Sequence, residues 1–495
     1  MIRRIYFNTT PSFHWIAALF LCAFLGNARA AERPNIIFLL SDDHRWDMMS
    51  CAGNKIIQTP EMYALARDGV RFKNAFVTTP ICAASRASIF TGLHERTHRY
   101  TFGTKPLTDE HVRMSYPAAL KRAGYRTGFV GKFGVGVEGG ATDAMFDSFV
   151  KVDRNPYFKK MPDGSERHAT EIEGDRAIEF LETVKDGQPF CLSVSFNAPH
   201  AEDNDPRQYF WTKESDSLYR NAKFPVPSTM TDEFFNQHPD FLKNSESRKR
   251  FGWRFDEPQK YQDMVRGYYR MITDVDRVIG RIRDALKERG LDENTIIIFT
   301  GDNGYFLGDR GFADKWYIYE KSIRVPLIVF DPRAPKSQRG KTAEAMALNI
   351  DLAPTMLTLA GADVSETVQG RSLIPLLNGK KPKDWRTDLF FEHLMEADGA
   401  KFGRTRIPKS EGVRGERFSY VRWFESDPLV EELYDHTRDF EQEHNLIANP
   451  KFAKTAAELR KRTTELRDLY GGPFVSNFAP RAERKASKDA KSSNE

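Results

Sequence analysis

Cysteine is scarce in this chain, with 4 among 495 residues, so the dense, even set that marks a small disulfide-stapled scaffold is absent. Zinc-type Cys/His spacing, internal repeats and the signatures of nucleic-acid-binding modules are absent too, which excludes those classes. Charge of one sign is not in excess: 74 basic residues face 69 acidic ones, and the net charge of +5 names no partner. Long hydrophobic runs are also missing. The stretch from Trp15 to Leu25 falls short of the ~20 residues that cross a bilayer, so no stable membrane span is expected.

What is present is an ordinary globular composition, 40% hydrophobic and 29% charged, in a chain long enough for one large and one small domain. Arg3 and Arg4, the apolar stretch after them and Ala28-Arg29-Ala30 read as a signal peptide over 1–30. The protein is therefore expected to be exported, to the periplasm or the medium. Loss of Arg3, Arg4 and Arg29 would take the net charge from +5 to +2. Cys51, Cys82 and Cys191 remain in the mature chain, an odd number that asks for a chemical explanation.

Continuous apolar runs at Asn35–Leu40, Arg126–Val130, Phe190–Phe196 and Thr295–Thr300 predict strands covered on both faces. Each is followed at once by polar groups: Ser41-Asp42-Asp43, Gly131-Lys132, Asn197-Ala198-Pro199-His200 and Gly301-Asp302-Asn303-Gly304. Helical patterns at Pro60–Asp68, Ser115–Arg122, Glu171–Val184 and Tyr261–Arg289 alternate with them, so the class is α/β, with ligands expected beyond the strands' carboxyl ends. Gly379–Asp384 reads as a linker. The expected organisation is a catalytic domain over 31–378, a small α+β domain over 379–475 and a disordered charged tail over 476–495.

Cys82-Ala83-Ala84-Ser85-Arg86 opens a stretch able to form a helix, which places Cys82 at the end that favours negative charge. This pentapeptide resembles the C-x-[PA]-x-R signature of type I sulfatases, of the alkaline-phosphatase superfamily. Asp42-Asp43-His44-Arg45-Trp46-Asp47 and Gly301-Asp302-Asn303-Gly304 look like that family's two calcium motifs. The run from Gly304 to Ile328 resembles its L-G-D-H-G, K-x-x-x-Y-E and I-R-V-P-L-I blocks, and Leu433-Tyr434-Asp435 resembles its late L-Y-D-L segment. These matches keep family order and span most of the mature chain.

The resemblance implies a large mixed-sheet domain with helices on both faces, a smaller C-terminal domain, and hydrolysis of sulfate esters. It implies that a formylglycine-generating maturation enzyme oxidises Cys82 to formylglycine. One hydroxyl of the hydrated aldehyde would attack sulfur, and collapse of the second would expel sulfate. Asp42, Asp43, Cys82, Asp302 and Asn303 are the implied metal ligands. Their oxygens are hard donors suited to calcium. By the same analogy Arg86 steadies the diol, Lys132 and Lys315 bind sulfate oxygens, and His200 binds or protonates the leaving oxygen.

Several positions depart from the family pattern, among them Leu93, where L-T-G-R has its arginine, and Ala84, where proline is commoner. Gly134 stands where G-K-W-H-x-G has its histidine, so His44, His94 or His98, or a group of the substrate, is expected to serve as base. Arg310 replaces the histidine of L-G-D-H-G and is expected to pair with a carboxylate or reach an anionic substrate. Arginines and aromatics gather at 203–254, among them Arg207, Trp211, Arg248, Arg250 and Trp253, and again at Arg404, Arg406, Arg414, Arg417 and Trp423. They point to a sulfated carbohydrate substrate. The competing functions are a phosphodiesterase or phosphonate monoester hydrolase of the same superfamily, and a non-catalytic sulfated-glycan binder.

Overall fold

The structure, a computed structural model, describes residues 33–396 and 407–476. The expected signal peptide, Arg404, Arg406 and all of the expected tail but Ser476 lie outside the described residues. Eight strands form the main sheet: β1 (Asn35–Ser41), β2 (Val70–Phe72), β3 (Arg126–Gly131), β4 (Ser148–Lys151), β5 (Phe190–Ser195), β6 (Thr295–Gly301), β7 (Leu327–Phe330) and β8 (Lys341–Ala343). Their order is β8-β2-β7-β6-β1-β5-β3-β4. Strands β6, β1, β5, β3 and β4 run parallel, while β7 is antiparallel to both of its neighbours.

Alternation along the central strand explains the two cores. Ile36, Phe38 and Leu40 of β1 point to one face, and Ile37 and Leu39 to the other. The first face is covered by α2 (Cys82–Thr91) and α3 (Tyr116–Arg122). The second is covered by α1 (Pro60–Asp68), α4 (Ala169–Glu182) and α5 (Pro258–Glu288). Each fully buried Leu, Ile or Phe contributes about 1.5–3 kcal/mol to this sandwich. Among the described residues no helix is long and apolar enough to cross a membrane.

A second sheet is an antiparallel meander of β9 (Asp388–His393), β10 (Ser410–Gly415), β11 (Phe418–Trp423) and β12 (Val430–Asp435). The helix α6 (Ala453–Leu469) lays Ala456 and Leu466 on one face of it, against Tyr420, Leu433, Phe390 and Val413. The other face joins the main core through Phe391, Val421 and Trp423. The α/β class with a C-terminal sheet is thus the observed one.

Register places the site. Leu40 and Gly131 each pair with Ser195, and Ser41 pairs with Gly301, so four parallel strands end level with one another. The polar segments after them emerge from neighbouring strands about 4.8 Å apart. Gly131 has φ +103°, and a Cβ there would lie 2.1 Å from the Ser195 carbonyl oxygen, so only glycine lets β3 close on β5 and turn into Lys132.

Candidate active site

Asp42 and Asp43 follow β1 and are fully buried. The Asp42 N–H donates to the Ala198 carbonyl at 3.1 Å and the Asp43 N–H to Asp302 Oδ1 at 3.1 Å, which ties the ends of β1, β5 and β6 together. Asp43 adopts φ +61°, a left-handed conformation that aspartate tolerates, and Tyr268 Oη pins its carbonyl at 2.6 Å. Asn303 Nδ2 donates to Asp43 Oδ1 at 2.6 Å.

The helix α2 brings Cys82 and Arg86 to this cluster. Every residue of α2 is buried, and no side chain caps its amino end. Cys82 Sγ donates to Asp42 Oδ1 at 3.4 Å, and Arg86 Nε meets Asp302 Oδ2 at 2.8 Å. Arg86 also donates to the Lys132 carbonyl at 2.5 Å and to Ser195 Oγ. Lys132 pairs with Asp42, and Lys315 with Asp43. Lys315 sits in a turn with φ +64° at Asp314 and +83° at Trp316, a conformation that a bulky residue holds only against strain of about 1–2 kcal/mol.

Electrostatics follow from burying three carboxylates side by side. Burial alone would raise Asp42, but Lys132, Arg86 and Lys315 overcome it and hold that carboxyl well below the usual range. Burial pushes Asp43 up to about 7, against Lys315 and with help from Asp42 and Asp302. Burial and the Asp42 charge push the Cys82 thiol up to about 12. As a plain thiol it stays protonated at neutral pH and is a poor nucleophile. Burial and the cations Arg154, Lys315 and Lys132 keep His200 neutral.

His200 Nε2 lies 3.5 Å from Asp43 Oδ2, and ligand atoms of Asp42, Asp43, Cys82 and His200 lie within 4.8 Å of one another. Asp43 Oδ2 and Asn303 Oδ1 are buried and accept no hydrogen bond. Such orphaned oxygens beside two further aspartates fit a hard divalent cation such as calcium, which would also offset the rise of Asp43. Above the cluster opens a cavity of about 580 Å³, lined by Cys82, Lys132, His200 and Lys315 together with Phe102, Phe133, Arg154, Asp203, Arg250 and Trp316.

The structure thus gathers all the expected site residues, and it corrects three expectations. None of His44, His94 and His98 lines the cavity. Both His44 ring nitrogens are engaged, by Ser41 Oγ and the Met48 carbonyl; His98 lies between Ser88 Oγ and the Tyr100 N–H; His94 stacks on Tyr470. Arg310 reaches no anion of the cavity either. It is buried over the Tyr319 ring and donates to the Gln442 carbonyl at 2.7 Å, which ties the segment after β12 to the main domain. Of the described arginine and aromatic cluster, only Arg250 lines the cavity. Arg207 pairs with Asp205 at the surface, Arg414 is used by Glu320 and Arg417 by Asp435, and Trp423 is core.

Sequence reasoning passed over Arg154, Asp203 and Glu173. Arg154 stands three residues past β4, the same strand-end placement that marked the others, but β4 is a short edge strand without an apolar run. Glu173, buried on α4, accepts from the Asn197 N–H at 3.1 Å and from Asn197 Nδ2 at 2.8 Å, and so anchors the loop that carries His200.

The family model of the sulfatases matches residues 34–362. This chain belongs to the sulfatase family. It is a type I sulfatase of the alkaline-phosphatase superfamily, a sulfuric ester hydrolase. A second model, N-sulphoglucosamine sulphohydrolase C-terminal, matches residues 308–469. The sulfatase is 30% identical to an N-acetylglucosamine-6-O-sulfatase of Bacteroides thetaiotaomicron over 89% of this chain and 87% of that protein. It is 27% identical to an arylsulfatase of Clostridium perfringens, over 87% of this chain and 93% of that one. A solved structure in complex with its substrate D-glucosamine-2-N,6-O-disulfate superposes with a TM-score of 0.75 at 27% identity, covering 88% of this chain and 98% of that chain. A phosphonate monoester hydrolase of Silicibacter pomeroyi has a TM-score of 0.74 at 25% identity, covering 88% and 96%.

Proposed function

We propose that this sulfatase removes sulfate from a sulfated glucosamine-type sugar outside the cytoplasm, with Cys82 matured to formylglycine and calcium held by Asp42, Asp43, Asp302 and Asn303. The observation that carries the reading is Cys82 at the amino end of a buried helix, 3.4 Å from Asp42 Oδ1, on the floor of a cavity walled by Lys132, Lys315 and His200. The sugar is suggested by the relatives named for N-acetylglucosamine 6-sulfate and glucosamine disulfate. Bound calcium would supply Lewis acidity toward an attacking hydroxyl and toward sulfuryl oxygen, and the formylglycine hydrate would supply that hydroxyl.

The chain's own groups do the rest. Lys132 and Lys315 face the cavity as cations able to hold sulfuryl oxygens and the charge that builds on them. His200 Nδ1 lies 2.8 Å from the Ala201 carbonyl, and Arg154 Nη1 lies against both ring nitrogens, 2.8 Å from Nε2. His200 lines the cavity as a neutral ring placed to bind the leaving oxygen, a role that Gly134 cannot fill. The test pairs mass analysis of the peptide containing Cys82 with sulfate release from N-acetylglucosamine 6-sulfate. A formyl group on that residue and loss of turnover in Cys82→Ala are expected. Full turnover with an unmodified thiol would overturn the reading, and faster cleavage of an aryl phosphodiester than of an aryl sulfate would favour the phosphonate-hydrolase alternative.

A further inference from the structure

The cations of the cavity wall differ in what neutralises them. Lys132 and Lys315 are matched by Asp42 and Asp43. Lys151 pairs with Asp153 at 2.7 Å in solvent. Arg250 pairs with Asp314 at 2.6 Å and with Glu246 at 2.9 Å. Arg154 is different. Its nearest carboxylate is Asp203, 3.6 Å away, and that carboxylate already takes Arg250 at 3.3 Å and the fully buried Arg254.

The other contacts of Arg154 are neutral. Its Nε donates to Asn155 Oδ1 at 2.9 Å, and its Nη1 to the uncharged His200 ring, at 2.8 Å from Nε2. Its side chain is 22% exposed, and that exposure opens into the cavity. The charge of Arg154 rests on a carboxylate that it shares with two other arginines, with Asp42 acting from farther off, so an anion arriving in the cavity would give this guanidinium a partner of its own. The scissile sulfate does not meet this need. It carries one charge, and its seat beside Cys82 already has Lys132 and Lys315.

We propose that Arg154 forms a second anion subsite, selecting sugars that carry another anionic substituent, an N-sulfate, on the ring that bears the scissile ester. This deepens the glucosamine reading and rests on it. Trp316 and Phe102, on the same wall, give the ring an apolar flank, and Arg250 is held in place over Trp316 at 5.3 Å.

The experiment compares kcat/KM for D-glucosamine-2-N,6-O-disulfate and for N-acetylglucosamine 6-sulfate in the parent enzyme, Arg154→Gln and Arg154→Lys. The preference for the disulfated sugar should fall about tenfold in Arg154→Gln, as expected for a lost charge-assisted hydrogen bond, with the change in KM. Arg154→Lys should keep part of it. Equal losses on both sugars, leaving the preference unchanged, would overturn the inference and mark Arg154 as a support for His200 alone. If neither sugar is cleaved while an aryl sulfate is, the glucosamine reading fails by itself. The same two sugars are then compared as inhibitors of aryl sulfate cleavage, where loss of the disulfated sugar's advantage in Arg154→Gln supports the subsite and an unchanged ratio overturns it.

Discussion

Restoring the family's histidine by Gly134→His should damage this enzyme rather than improve it. Gly134 has φ +69°, and a Cβ there would lie 2.9 Å from Arg86 Cδ, 3.5 Å from Arg86 Nε and 3.8 Å from Lys132 Cε. The left-handed backbone alone costs a non-glycine residue about 1–2 kcal/mol. Arg86 cannot swing aside as a surface side chain would. It is fully buried and fixed by Asp302 at 2.8 Å, the Lys132 carbonyl and Ser195 Oγ. Breaking a buried pair of this kind costs about 3–5 kcal/mol, so the substitution should destabilise by about 1–2 kcal/mol if the pair holds and by about 4–7 kcal/mol if Arg86 is driven off Asp302. Gly134→Ala isolates the backbone and Cβ share. Urea titration should show a lower midpoint at unchanged slope for both variants, lower for histidine, with kcat/KM falling in the same order. A Gly134→His enzyme of parental stability and higher turnover would refute the reasoning, because the loop would then have room for a base at that position.

Two further outcomes follow from the buried carboxylates. Asp43 lies at about 7 in the absence of a cation, raised first by burial, whereas a cation binds only its ionised form. Calcium affinity measured by calorimetry should therefore weaken as pH falls through 7 and level off above it, with about one proton released per ion at pH near 6 and few at pH near 8. A pH-independent affinity would contradict the placement of Asp43 in the metal site. Glu173 is pushed up to about 8 by burial, against the Asn197 hydrogen bonds. A raised carboxyl stabilises the fold fully below its unfolded value near 4.5, and that contribution is lost as pH rises toward 8. Glu173→Gln, which keeps an acceptor for Asn197, should flatten this decline in a series of melts across that window. A parallel decline in both proteins would remove Glu173 from the account.

The strands that carry the site were legible because a strand covered on both faces must be apolar at every position, and a run such as Asn35–Leu40 shows it without knowledge of its neighbours. The edge strands β4 and β8 were not legible, because three or four partly or largely exposed residues hold no period, and β2, though internal, is only three residues long. That is why Arg154, placed by β4, escaped notice although it faces His200. The histidines His44, His94 and His98 were plausible bases only as names in a sequence. Their ring nitrogens or faces are already committed to Ser41, Met48, Ser88 and Tyr470 by packing that no local pattern reports.

By itself the sequence determined the family, the α/β class and the set of groups that meet at the strand ends, because those depend on residue types at short spacing. Only the tertiary structure decided what holds the His200 ring, why Gly134 has no room for a side chain and which cation must share its counter-charge. Those depend on contacts between residues far apart in the chain, such as Asp43 with Asn303, 260 positions apart, where burial and distance set the chemistry rather than spacing.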